Sequence, residues 1–238
     1  MEIQDRYNPA AIRDLFNEMS ATYGAVNLIS SFGFTLRWRN QAIKNIPIAE
    51  TSHVVDLMSG MNELCRSLSH HSSSGLHVTA VDISPEMAHR ARKDWPFHVE
   101  TKVEDVLAWN FESGSADAVI SSFGLKTFDP NQQLQLARIV ASLLRPGGHF
   151  SLVEVSVPPA RILRWFYMFY LNRIIPWIGR LFLGNPLNYQ MLGLYTQDFG
   201  SCRHFAECLQ QQGLQVRTVS YFFGCATCVC GTKPLPKK

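Results

Sequence analysis

Short apolar runs alternate with stretches of helical periodicity through the middle of the chain. The first run, residues 54–57, is followed by a small-residue turn around Gly60 and by Leu64, Cys65 and Leu68, which share one helical face. Such alternation predicts a parallel sheet with helices on both of its faces. Further strands are predicted at residues 76–82, 97–101, 117–122 and 150–155.

Both ends of the chain carry additional elements. Two amphipathic segments, residues 8–20 and 34–45, precede the first strand and predict helices that cap the site or the sheet. A last helix is predicted over residues 197–212, before a hairpin with strands at 214–220 and 226–231. The expected fold class is therefore α/β, with a doubly wound and mostly parallel seven-stranded sheet, a C-terminal antiparallel hairpin and an N-terminal helical cap.

Residues 162–182 are crowded with apolar and aromatic side chains. Arg164, Asn172, Arg173, Pro176 and Arg180 interrupt the stretch, and several charges within one span are costly, so it is not predicted to cross a membrane. Two interpretations remain open. The segment either covers an apolar substrate pocket and touches a membrane surface, or it is an ordinary buried helix.

Length and composition favour one domain with a large core. The 238 residues are 46% hydrophobic, and the net charge of +3 is scattered, which gives no electrostatic argument for nucleic acid. The first residues resemble no signal peptide, so we expect a cytoplasmic protein; the sequence does not predict its oligomeric state. Within the domain we expect a cap (1–50), a ligand-binding core (51–157), an aromatic lid or substrate segment (158–200) and a final helix with hairpin (201–232).

The six cysteines do not indicate a disulfide scaffold in a chain of this length. Cys228 and Cys230 share a face of the last predicted strand, as small packing residues do. Cys202, His204 and Cys208 lack the spacing of a zinc knuckle, and we expect no metal site.

Acidic residues end two successive predicted strands. Asp56 ends the first and Asp82 the second, where a carboxylate holds a ribose diol in nucleotide-binding units. The turn that follows Asp56 has the single Gly60 where a dinucleotide fingerprint has three glycines. The pattern predicts a ligand cradle at the carboxyl edge of the sheet, and a nicotinamide cofactor is poorly supported.

Four motifs in this order resemble class I S-adenosylmethionine-dependent methyltransferases: residues 56–63, 81–84, 104–106 and 144–148. Within that class, residues 16–38, 121–126 and 174–179 are most similar to the ubiquinone and menaquinone C-methyltransferases. The chain departs from those enzymes in two places. Gly60 followed by Asn62 replaces the usual turn glycines, and Lys126-Thr127 replaces an Arg-Asn pair.

The resemblance implies a Rossmann-like fold, S-adenosylmethionine as cofactor, and a role for each matching residue. Asp82 would accept both ribose hydroxyls, while Asp56 would hold the ammonium group of the methionine moiety. The other implied contacts are Ser59, Gly60 and Ser121 to the methionine moiety, Ile83, Met87, Asp105 and Val106 around the adenine, and Tyr23 over the sulfonium.

Methyl transfer requires in-line positioning and, for a poor nucleophile, a base. The candidates are Lys126, Glu154, Tyr189 and Tyr195. The expected reaction is methyl transfer to a small, largely apolar acceptor, either quinone-like or a natural product.

Two alternatives stay open because the turn and the residues after Gly124-Leu125 are altered. One is attack at the aminocarboxypropyl carbon of the donor, by another substrate or by its own amine, with release of methylthioadenosine. The other is a module that binds the donor without reacting.

Overall fold

A computed structural model of the chain describes residues 6–47, 53–71, 75–182 and 185–236. The helices and strands of these residues are numbered separately in chain order. The helices are α1 (Pro9–Met19), α2 (Tyr23–Ser30), α3 (Phe34–Ile43), α4 (Glu63–Leu68), α5 (Pro85–Arg90), α6 (Pro130–Leu143), α7 (Arg161–Phe169), α8 (Ile175–Leu181), α9 (Pro186–Phe199) and α10 (Arg203–Gln211). The strands are β1 (His53–Leu57), β2 (His77–Asp82), β3 (His98–Val103), β4 (Ala116–Ser122), β5 (Leu144–Val155), β6 (Gln215–Tyr221) and β7 (Ala226–Thr232).

The seven strands form one sheet in the order β3-β2-β1-β4-β5-β7-β6. The first five are parallel, whereas β7 runs antiparallel to both β5 and β6. The predicted doubly wound α/β fold with a C-terminal antiparallel hairpin is thereby confirmed. Its strand order reverses between β1 and β4, and in open α/β sheets this reversal opens the crevice in which ligands bind.

Hydrophobic cores lie on both faces of the sheet. On one face Val55, Val119 and Leu152 pack with α6 and α10, and on the other Val54, Val78 and Ile120 pack with α3 and α4. The alternation of side chains along β1 sends Val54 and Val55 to opposite faces. A strand buried on both faces explains why the sequence shows a continuous apolar run here.

The predicted elements differ from the structure in three places. The final helix expected over 197–212 is present but begins later, at Arg203, because residues 197–199 belong to α9 and Gly200 (φ 66°) separates the two helices. The strand predicted at residues 150–155 begins earlier, at Leu144, and residues 145–148 form a bulge within it, since Leu144 pairs with Ala116 and His149 with Ala118. The helices α2 and α9 were not predicted.

The aromatic segment is not a buried helix. No residue of α7 is buried, so that interpretation of residues 162–182 is wrong for α7. Among the described helices, none has both the length and the apolar content needed to cross a bilayer. Cys228 and Cys230 do lie buried in β7, as expected for packing residues.

Candidate active site

In the turn after β1, three residues have a backbone conformation that glycine favours, although just one of them is glycine. Met58 (φ 53°), Gly60 (φ 58°) and Asn62 (φ 61°) all have left-handed backbone conformations. Asn is one of the residues that tolerate this region, because its short polar side chain reduces the steric cost. Asn62 can therefore occupy a position that usually requires glycine, directly before the first residue of α4.

This conformation predicts an unusual order of stabilities at position 62. Asn62→Ala should lower the free energy of unfolding by about 1–2 kcal/mol, since alanine resists a positive φ. Asn62→Gly removes more atoms but has no such resistance, so we expect it to be the more stable variant. Urea denaturation of both variants measures the difference. A more stable alanine variant would show that packing, not backbone conformation, selects the residue.

Asp82 connects the turn to the end of β2. Its carboxylate accepts hydrogen bonds from the backbone N–H groups of Gly60 (2.7 Å) and Ser84 (2.8 Å), one on each oxygen. Burial raises the pKa of Asp82 to about 6, although the two N–H donors act in the opposite direction. Because each carboxylate oxygen has two lone pairs, one on each oxygen stays available for a ligand.

Buried polar atoms without partners surround the end of β1. Both carboxylate oxygens of Asp56 and the hydroxyls of Ser59 and Ser121 have no hydrogen-bond partner among the described residues. Burial, followed by the charge of Glu63, raises the pKa of Asp56 well above its usual value. A buried polar group without a hydrogen-bond partner lowers the stability of the fold. These side chains near the end of β1 therefore have unused capacity to bind a polar ligand.

A buried arginine reaches this site from α3. The Arg39 guanidinium donates from Nε to the hydroxyl of Ser122 (3.1 Å), lies 3.3 Å from Glu63 and stacks 4.9 Å from the centre of the Phe123 ring. Its positive charge lowers the pKa of Asp56, against the stronger effect of burial. The sequence offered a signal for it: Arg39 shares the helical face of Thr35, Trp38, Ala42 and Ile43, all buried.

A cleft that is partly open to solvent lies at the carboxyl edge of the sheet. Four carboxylates line it: Glu63, Asp82, Glu104 and Asp105. Its apolar walls include Ile12, Phe16, Met58, Phe123 and Phe128.

The cleft brings together seven of the predicted binding residues. These are Tyr23, Gly60, Asp82, Ile83, Met87, Asp105 and Val106. Asp56, Ser59 and Ser121 are not in its lining; they are the buried groups described above, and Ser122 lines the cleft in place of Ser121. The sequence predicts that the helix at residues 8–20 caps the site or the sheet, but it does not identify which side chains of α1 and of residues 122–128 line the cleft, because no local pattern shows which helix face covers a distant strand end.

The four predicted catalytic residues do not line the cleft. The Lys126 ammonium donates to a Glu154 carboxylate oxygen (2.8 Å) and to the carbonyl of Phe123 (2.6 Å), and both ionic side chains are buried. Tyr189 shares a hydrogen bond with the Thr22 hydroxyl (2.8 Å), and the Tyr195 hydroxyl donates to the carbonyl of Arg6 (2.6 Å). These contacts are internal to the fold, and a catalytic role for the four residues stays a prediction.

A family model described as the ubiE/COQ5 methyltransferase family matches residues 2–233 of the chain. The chain belongs to this family. Membership confirms the predicted resemblance and identifies an S-adenosylmethionine-dependent transferase with a Rossmann-like fold.

Named relatives extend over nearly the whole chain. A demethylmenaquinone methyltransferase of Thermus thermophilus is 28% identical, over 92% of this chain and 100% of its own length. A ubiquinone/menaquinone biosynthesis C-methyltransferase of Geobacter sulfurreducens is also 28% identical, over 94% of this chain and 89% of its own. A solved methyltransferase of Thermotoga maritima, described as a possible histamine N-methyltransferase, has the same fold, with a TM-score of 0.62, 16% identity and coverage of 93% and 99%.

Proposed function

We propose that this family member transfers the methyl group of S-adenosylmethionine to a ring carbon of a demethylated quinone. The identity of the acceptor is inferred from the similarity, over nearly the whole chain, to two enzymes named for quinone methylation. The apolar and aromatic walls of the cleft suit a flat, largely apolar ring.

The residues present fit the donor. S-adenosylmethionine carries a sulfonium and an ammonium cation, and a cleft lined by four carboxylates attracts cations. We assign the free lone pairs of Asp82 to the ribose hydroxyls and the unpaired oxygens of Asp56 to the ammonium, directly or through water. The hydroxyls of Ser59 and Ser121 lack partners and are assigned to the methionine moiety.

The remaining donor contacts involve the side chains at the sides of the cleft. We assign Ile83, Met87, Asp105 and Val106 to the adenine, because they follow β2 and β3 next to Asp82. Tyr23 is buried against Phe16 and Met87 and is assigned to the sulfonium, to which an aromatic face offers a cation–π contact.

When bound, the donor supplies an electrophilic methyl group. The chain would supply orientation: Asp82 would fix the ribose and Asp56 the ammonium of the donor, while Arg39 contacts both Glu63 and the Phe123 ring, which line the cleft. Apolar side chains of α1 form part of the cleft lining.

Product analysis tests this proposal. The purified protein is incubated with S-adenosylmethionine and a short-tailed demethylated naphthoquinone, kept reduced. We expect S-adenosylhomocysteine by chromatography and a quinone that is heavier by one methylene by mass spectrometry. Asp82→Ala is the matched control and should give neither product.

Other products would contradict the proposal in distinct ways. Methylthioadenosine without S-adenosylhomocysteine would indicate attack at the aminocarboxypropyl carbon, for which the relatives named above give no support. S-adenosylhomocysteine without a methylated quinone would exclude this acceptor. Tight binding with an unchanged donor, across several quinone acceptors, would indicate a binding module.

A further inference from the structure

The helix α7 presents an aromatic and aliphatic stripe to solvent. Ile162, Trp165, Phe166 and Phe169 recur at helical spacing, and their exposed fractions are 77%, 64%, 60% and 52%. The opposite side of the helix is anchored, since the Tyr167 hydroxyl donates to the carbonyl of Cys225 (3.2 Å). The helix is therefore attached to the rest of the fold on one side, and its apolar stripe faces solvent on the other. The residues of the stripe do not line the cleft.

Neighbouring elements add further exposed apolar side chains. Trp177 and Leu181 are each 60% exposed on α8, one helical turn apart. Phe32, at the end of α2, lies 6.5 Å from the ring of Tyr170, whose hydroxyl donates to the carbonyl of Ser30. Exposed apolar patches of this kind mark sites of interaction. We call the exposed apolar residues of α7 and α8 the aromatic face.

The segment of chain that carries the aromatic face has charges of one sign. Between Glu154 and Asp198 the sequence contains no acidic residue but four arginines, all of them exposed: Arg161, Arg164, Arg173 and Arg180. Asp198, which ends this interval, is paired with Arg6 (3.1 Å). Three of the arginines line a groove beside α7 together with Trp165, Met168 and Phe169.

We propose that the aromatic face docks on the surface of an anionic lipid bilayer. Trp and Phe side chains insert at the boundary between headgroups and acyl chains, while arginines bind the lipid phosphates. The face offers both groups on rigid helices. A second copy of the chain is disfavoured as occupant, because a symmetric contact would bring the same four arginines together. The proposal does not depend on the identity of the methyl acceptor.

Vesicle cosedimentation with the full chain tests the proposal. One set of vesicles contains phosphatidylcholine alone, and the other contains phosphatidylglycerol as well. We expect binding to the anionic vesicles that decreases with added salt and is much weaker on phosphatidylcholine. Arg173→Gln combined with Arg180→Gln should weaken partitioning about 30-fold, at about 1 kcal/mol per arginine. Trp165→Ser combined with Phe166→Ser should weaken it about 100-fold.

The control is Arg66→Gln combined with Arg138→Gln, which removes two exposed arginines from α4 and α6. It should bind anionic vesicles almost as the unmodified chain does, and all variants should keep their melting temperature. Wild-type binding that is absent, or equal on both vesicle types, would overturn the proposal. So would a dimer, detected by light scattering, that the Trp165/Phe166 variant abolishes, because the face would then bind a second copy.

Discussion

Asp82→Ala is expected to weaken the binding of S-adenosylmethionine by about 100-fold or more, because each hydrogen bond to a charged acceptor contributes about 1.5–3 kcal/mol. The carboxylate is buried at the end of β2, and its second lone pairs are the acceptors we assign to the two ribose hydroxyls. Alanine also removes the acceptor for the Gly60 N–H, so the turn that we assign to the methionine moiety loses one of its hydrogen bonds to β2 and keeps the one from the Ser59 N–H to the Val81 carbonyl.

Two further variants separate these effects in isothermal titration calorimetry. Asp82→Asn keeps the size of the side chain and one carbonyl oxygen, and we expect an affinity between those of wild type and alanine. Glu86→Gln changes an exposed carboxylate on α5 and should bind normally. Normal affinity in folded Asp82→Ala would show that the ribose assignment is wrong.

The raised pKa of Asp82 adds a dependence on pH. Donor affinity should be constant above about pH 6 and fall as the pH decreases below it, since a protonated carboxyl accepts fewer hydrogen bonds. The stability of the free protein should instead decrease as the pH rises. Because burial raises the pKa above 3.8, the contribution of Asp82 to stability is lost as the pH rises from 3.8 through about 6. Asp82→Asn should remove the contribution of Asp82 to both dependences, while Asp56, whose pKa is also raised, keeps its own contribution.

Most of the fold could be predicted because its signals are local. Strands that are buried on both faces appear in the sequence as apolar runs. The starts of α1, α5 and α6 are marked by a capping residue, Asn8, Ser84 or Asp129, followed by Pro. The acids at the ends of β1 and β2 fall at one edge because the strands are parallel neighbours. Local sequence is therefore sufficient to place Asp56 and Asp82 near each other.

The remainder depends on contacts between distant parts of the chain. Residues 20–22 give only a weak sequence signal for the boundary between α1 and α2. Tyr23 of α2 is buried against Tyr189 and Met87, which are far away in sequence. The side chains at the cleft walls come from α1 and from the loop after β4, and no spacing in the sequence relates them. Arg39 lies on the buried face of α3, but no pattern in the sequence shows that Glu63 is its partner or that Lys126 pairs with Glu154.

Lys126→Met is expected to lower the free energy of unfolding by about 3–5 kcal/mol, as the loss of one partner of a buried ion pair does. The substitution leaves the Glu154 carboxylate in a fully buried position without its cation. The carboxylate retains only the backbone N–H groups of Lys126 (3.0 Å) and Val155 (2.7 Å) as donors. Chemical denaturation measures the loss, with Lys93→Met, which removes an exposed lysine, as the matched control.

A second substitution distinguishes a structural pair from a catalytic lysine. Glu154→Gln removes the charge and keeps one oxygen, which can accept from one of the two backbone N–H groups, since these bond to different carboxylate oxygens. Lys126→Met combined with Glu154→Gln should therefore recover part of the lost stability. If Lys126 and Glu154 act only by supporting the loop at residues 123–127, the double variant should also recover methyl transfer per folded molecule. Recovery of stability without recovery of turnover would instead show that Lys126 or Glu154 takes part in catalysis, although neither side chain lines the cleft.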